Sequence, residues 1–183
     1  MMAVMAVAAL TANAQQEAGT FSIQPKAGLN VTKITGDGTK TKAGFTAGVE
    51  GMYQAAEKFG VSAALMYSLQ GTKYEGVDKA YNMHYLNIPI LANYYVVKGL
   101  AVKAGIQPGF LVGAKHDGNS FSDSCKKFDF AIPVGLSYEI SNIVFDARYN
   151  IGLTKTRKSE HGITVEKTKN SVFQFTVGYK FGL

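Results

Sequence analysis

Side chains able to do acid–base, nucleophilic or metal chemistry are few in this 183-residue chain, and their spacing decides what they can do. Histidine occurs at His84, His116 and His161, and cysteine only at Cys125. A nucleophile needs a base held beside it, and the sequence contains no Gly-x-Ser-x-Gly turn to present a serine. Cys125 sits in a Ser/Asp/Lys-rich stretch. One thiol forms no internal disulfide, and one thiol with three scattered imidazoles makes no zinc set. His84, next to Tyr85, reads as a rim residue. These residues predict no catalytic site, no metal and no cofactor.

A second group of chemically capable residues is ionic and more regular. Lys26, Glu50, Lys103, Glu139, Asp146, Arg148 and Lys180 each fall on the polar phase of a two-residue alternation, with Asp129 on the same phase further from the rest. Charges of both signs on one buried face must pair. The expectation is a structural ion-pair plug, and the alternative is a gated ion or proton path along the same groups. Asp146 and Arg148 are two apart and share a face. They should anchor the network, so Arg148→Ala is expected to lower resistance to urea or heat.

The alternation that carries these charges defines eight strands. The last is the clearest: Phe173, Phe175, Val177, Tyr179, Phe181 and Leu183 alternate with Gln174, Thr176, Gly178, Lys180 and Gly182. The first runs from Phe21 to Thr32, the second through Phe45–Tyr53, the third through Phe59–Gln70 and the fourth through Leu86–Val96. The fifth spans Leu100–Gly113, the sixth Phe128–Ile140 and the seventh Ile143–Thr154. Polar stretches at 35–40, 71–80, 114–127 and 155–169 are long loops. Gln54–Lys58, Val97–Gly99 and Ser141–Asn142 are short turns, the last a two-residue hairpin signal. All four prolines, Pro25, Pro89, Pro108 and Pro133, fall within strands. Proline cannot donate to a ladder, so bulges or breaks are expected there, first at Pro108–Gly109.

Long and short connections alternate strictly, which puts all long loops at one end and both termini at the other. The strands exceed the roughly 9–11 residues a tilted strand needs to cross a bilayer. One face is bulky and aromatic; the other is Gly, Ser, Ala and Thr with the charges, which is what a narrow eight-stranded interior can hold. Tyr53, Phe59, Tyr94, Tyr138, Phe145, Tyr179 and Phe181 lie near the short-turn ends and should form an aromatic girdle. The predicted fold is all-β: an eight-stranded antiparallel up-and-down transmembrane β-barrel with four long outer loops and three short periplasmic turns. It should sit in the cell outer membrane. A secreted soluble barrel carrying an apolar ligand would need the faces reversed, bulky inside and charged outside.

Residues 1–10 are almost wholly Ala, Val and Met, without a basic stretch before them, and Thr11-Ala12-Asn13-Ala14 supplies an Ala-x-Ala cleavage pattern. This predicts a signal peptide over residues 1–14, a short segment over 15–20 and the barrel over 21–183. The net charge of +6 resides on the long loops, because strands, turns and N-terminal segment balance. Half of it falls on the last loop, where Lys155, Arg157, Lys158, Lys167 and Lys169 face Glu160 and Glu166. A basic rim suits outer-membrane lipid and lipopolysaccharide. The alternative is a loop set that is merely solvated. No aromatic platform is interleaved with these charges, so nucleic acid is not expected as a partner.

Five pieces in order resemble the PorT-like outer-membrane β-barrel proteins of Bacteroidota. They are Lys26-Ala27-Gly28-Leu29-Asn30-Val31, Met66-Tyr67-Ser68-Leu69-Gln70-Gly71, Tyr85-Leu86-Asn87-Ile88-Pro89, Asp146-Ala147-Arg148-Tyr149-Asn150-Ile151-Gly152-Leu153 and Gly178-Tyr179-Lys180-Phe181. Thr176-x-Gly178-x-x-Phe181-x-Leu183 also looks like the terminal signal read by the barrel-assembly machinery, with Leu where Phe is usual. The resemblance implies an integral outer-membrane barrel and no single activity; the family's namesake is tied to type IX secretion and gliding. Four functions stay open: a non-enzymatic structural or interaction barrel, a narrow pore or secretion-linked component, a lipid-modifying outer-membrane enzyme, and a soluble lipocalin-like carrier.

Overall fold

The computed structural model describes residues 17–34, 39–40, 42–74, 81–116, 119–120, 128–155 and 169–183. Eight staves lie among the described residues: β1 (Phe21–Ile34), β2 (Lys42–Ala56), β3 (Phe59–Tyr74), β4 in two pieces (Tyr81–Asn87 and Ile90–Val97), β5 (Leu100–His116), β6 (Phe128–Ile140), β7 (Ile143–Lys155) and β8 in two pieces (Lys169–Tyr179 and Phe181–Gly182). Two-residue strands, Thr39–Lys40 and Asn119–Ser120, pair with the outer ends of β3 and β5. Every stave pairs antiparallel with the next. β8 then pairs with β1, from Ile34↔Asn170 down to Lys26↔Gly178 and again at Ile23↔Phe181. The sheet is therefore closed and has no free edge for lipid to meet.

Side-chain direction follows the alternation. Leu29, Phe45, Leu65, Phe175 and Val177 point outward, with Phe175 51% exposed. Lys26, Glu50, Asp146 and Arg148 point inward, with Arg148 0% exposed. Tyr53, Phe59, Tyr94, Tyr138, Phe145, Tyr179 and Phe181 are all outward at the short-turn end, so the expected girdle is present. A soluble carrier needs the opposite arrangement, and this orientation removes that reading.

The short turns are closed by specific residues. Gly99 takes φ 83°, a conformation that costs other residues a steric clash, between Val97 and Leu100. Ser141 takes φ 56° without being glycine, and Asn142 Nδ2 donates to the Lys180 carbonyl at 2.8 Å, tying this hairpin to β8.

The prolines behave differently from one another. Pro89 breaks β4: Ile88 and Pro89 leave the strand, while Ala64 N still donates to the Pro89 carbonyl at 3.0 Å. Pro108 sits opposite this break and β5 runs on through it, so the break expected at Pro108–Gly109 falls on Pro89 instead. Both prolines keep an accepting carbonyl, which is what proline retains: Ile88 N donates to that of Pro108 at 2.9 Å. At Pro133 the β5–β6 ladder lapses between Ala104↔Val134 and Gln107↔Ala131, while the β7 side stays paired as Asn150↔Pro133. Pro25 pairs with Val49 inside β1, and the interruption of β8 at Lys180 falls next to it.

β5 also carries a bulge, where the register shifts between Tyr85↔Leu111 and His84↔Gly113. Alternation alone places Gly113 on the inner face. The extra residue, Val112, reverses the phase, and a Cβ at Gly113 would lie 3.6 Å from His84 Cδ2 on the outer side.

Residues 1–16, which include the expected signal peptide, lie outside the described residues, as do Cys125 and His161.

Candidate functional site

The lumen is the site. Residues from β1, β2, β5 and β7 meet inside it although they are far apart in sequence. Lys26 Nζ lies 2.7 Å from Glu50 Oε2 and 3.6 Å from Asp146 Oδ2. Lys103 Nζ lies 3.2 Å from Glu50 Oε1 and 2.8 Å from Asp146 Oδ2. Arg148 Nε lies 2.7 Å from Asp146 Oδ1, out of line for a hydrogen bond, so that contact is purely ionic. All five groups are buried. Inward glycines make the room. Gly135 faces both Lys103 and Arg148 across its two ladders, with no side chain of its own between them.

A second cluster closes the short-turn end. Lys180 Nζ donates to both oxygens of Glu139, at 2.8 and 2.7 Å, and the Tyr95 hydroxyl donates to Glu139 Oε1 at 2.7 Å. Tyr95 packs with Met52 and Ala101. The expected seven-residue network is thus two clusters, Lys26/Glu50/Lys103/Asp146/Arg148 and Glu139/Lys180. Tyr95→Phe is expected to cost roughly 1.5–3 kcal/mol, the range for a hydrogen bond to a charged group. Urea titration of the folded barrel in detergent micelles checks this.

Above the ions, the buried residues Asn30, Ser68, Gln70, Asn150 and Gln174 form a neutral tier. Asn30 Nδ2 donates to Ser68 Oγ at 2.7 Å, Gln70 Nε2 to Ser68 Oγ at 2.9 Å and Asn150 Nδ2 to Gln174 Oε1 at 3.2 Å. Asp129 stands apart toward the outer end, bound to the Thr154 hydroxyl and, at 2.9 Å, to Phe130 N.

Tyr95 and Tyr85 are inward residues that the sequence reading passed over. Both share the phase of Asn87 and Asn93 in β4, and that parity was the available signal. His84 is on the outer face, in contact with the Tyr67 hydroxyl. The side chain of His116 lies outside the described residues. In the last loop, Lys155 and Lys169 pair at the outer ends of β7 and β8. Their side chains, and Arg157, Lys158 and Lys167 entirely, lie outside the described residues.

A closed eight-stave barrel with an apolar outside and an ionic inside is the architecture of outer-membrane proteins. A family model described as "Outer membrane protein beta-barrel domain" matches residues 13–158. The chain belongs to that family. Like its family, this outer-membrane barrel resides in the cell outer membrane, with its apolar belt in lipid. It is similar in fold to neisserial surface protein A, at TM-score 0.60 and 16% identity, covering 88% of this chain and 97% of that one. It is also similar to Ail, the attachment invasion locus protein of Yersinia pestis, at TM-score 0.55 and 21% identity, covering 90% and 99%. OprG from Pseudomonas aeruginosa aligns at TM-score 0.53 and 18% identity, covering 92% and 99%. No curated protein matches the chain in sequence.

Proposed function

We propose that this outer-membrane barrel is non-enzymatic and serves a structural or interaction role at the cell envelope, through its outer loops. One observation carries the reading: the ionic side chains of the lumen are turned on one another, across the bore, rather than toward a path or a substrate. A lumen crossed by Lys26–Glu50, Lys103–Asp146 and Lys180–Glu139 pairs is a plug. The loops, where the sequence concentrates positive charge, are then the parts left to meet a partner. On this reading residues 1–14 are a signal peptide, the barrel-assembly machinery inserts the chain, and the PorT-like proteins are among its kin.

The proposed contact of Lys155, Arg157, Lys158, Lys167 and Lys169 is the phosphate of lipopolysaccharide. Replacing all five by Gln is expected to reduce binding of the folded barrel to lipopolysaccharide vesicles by at least tenfold, with the loss shrinking as salt rises. Sedimentation with those vesicles checks it, and undiminished binding rejects the contact. Planar-bilayer recording separates the plug from a pore. The plug predicts no discrete conductance steps, and steps that vanish in a Lys103→Met variant would establish the pore instead.

A further inference from the structure

We propose that two adjoining hollows on the lipid-facing wall of the barrel hold the two acyl chains of one phospholipid of the periplasmic leaflet, with its phosphate at Lys98. Ala147 pairs with Phe175 on β8 and with Leu136 on β6. Its short side chain leaves a hollow of about 500 Å³ walled by Leu29, Phe175, Leu136 and Tyr138. Ala27 pairs with Ala47 on β2 and with Val177 on β8. A second hollow of about 500 Å³ lies over them, between Pro25, Ile143 and Tyr179. Val177 lines both hollows and is the ridge between them. Two troughs on either side of one ridge match two chains that leave one glycerol.

Lipid surrounds this belt and is as apolar as the wall, so hydrophobicity alone drives nothing into the hollows and fit decides the occupant. An unfilled hollow forfeits dispersion contacts. A flexible acyl chain takes the shape of either trough, whereas a second barrel must bring a ridge that already matches it. Height selects the leaflet. The β7 residues that line the hollows run from Ile143 to Ala147, in a strand that continues to Lys155. Both hollows therefore lie in the short-turn, periplasmic half of the wall, and lipopolysaccharide resides in the other leaflet. Charge selects the head. Tyr138 lines one hollow and Tyr179 the other, each at the interfacial end where a phenol suits a headgroup. The Gly99 carbonyl accepts from Glu139 N at 2.8 Å, which fixes the β4–β5 turn beside Tyr138. Exposed Lys98 stands on that turn, where an ammonium meets a lipid phosphate. The other charges described at this end are placed elsewhere. Glu57 and Lys58 share the β2–β3 turn, Glu17 precedes β1 on the β2 side, and Lys180 and Glu139 pair inside the barrel. This inference is independent of what the outer loops contact.

Native mass spectrometry of the folded barrel in micelles, titrated with phosphatidylglycerol, tests it. The wild type should retain one lipid per barrel. The double variant Ala27→Phe with Ala147→Phe, which fills both hollows, should retain at least about tenfold less. Ala92→Phe, outward on β4 and lining neither hollow, should bind as the wild type does. Diacylglycerol with the same chains should bind the wild type at least about fivefold more weakly than phosphatidylglycerol, and Lys98→Gln should erase that preference. Undiminished retention by the hollow-filling variant overturns the proposal, as does a phosphate preference that survives Lys98→Gln. Displacement of phosphatidylglycerol by lipopolysaccharide, or a dimer formed in place of the lipid complex, overturns it in favour of another occupant. If the double variant does not fold, Lys98→Gln, at an exposed turn, decides alone.

Discussion

Asp146→Asn is expected to destabilise the folded barrel by about 3–5 kcal/mol, and Arg148→Met by under about half of that. The two residues contact each other, so a plain salt-bridge argument makes the costs equal. The charge balance makes them unequal. Without Asp146, Lys26, Lys103 and Arg148 share Glu50 alone, and three buried cations repel one another around one carboxylate. Without Arg148, two lysines face two carboxylates and every charge keeps a partner. Methionine keeps most of the volume of the arginine stem, which limits the cavity left behind. The double variant restores the wild-type surplus of one, so its cost should fall short of the sum by roughly 0.5–3 kcal/mol. Urea midpoints in micelles and the fraction of fast-migrating barrel on unheated gels measure all three. Equal costs for the two single variants, or a larger cost for Arg148→Met, would sink this account of the network.

Gly135→Val is expected to be as damaging as losing the carboxylate, at about 3 kcal/mol, although it removes no charge. A Cβ at this position would stand 2.7 Å from Arg148 Cγ and 2.9 Å from Arg148 Cα, and closer still to the Ala147 carbonyl oxygen. Backbone cannot yield there without parting β6 from β7. The side chain that could yield is Arg148, whose displacement breaks its contact with Asp146. Gly113→Ala supplies the control, because its Cβ would meet His84 Cδ2 at an ordinary 3.6 Å on the lipid side, and it should be near neutral. Comparable unfolding midpoints for Gly135→Val and the wild type would show that the lumen has slack, which the packing excludes.

These two expectations differ in how far the sequence could have led to them. That Asp146 and Arg148 share the inner face is legible from two-residue spacing alone. So are the outward rows of Phe and Tyr, the polar loops and the strict alternation of long and short connections. Each rests on pleat geometry, which acts over neighbouring residues and leaves its mark in the local pattern. Gly135 carries no such mark. It is one of 20 glycines, and nothing near it in the chain says that Lys103 and Arg148 flank it across two different ladders. The misjudged positions have the same origin. Pro108 and Pro89 look alike in sequence, yet the strand is interrupted at Pro89 and runs on through Pro108. Gly113 changes face because a bulge, a mismatch between two strands, adds one residue to only one of them.

The order of the eight staves, the side that residues face away from bulges and the membrane as solvent were determined by the sequence by itself, because alternation is local and the outward side chains are too apolar for water. Which cation meets which carboxylate was decided by the closed barrel, because closure and stagger bring β1, β2, β5 and β7 together at one height. The division into two clusters and the sharing of Asp146 by three cations follow from that stagger, a property of the whole cylinder that no single strand encodes.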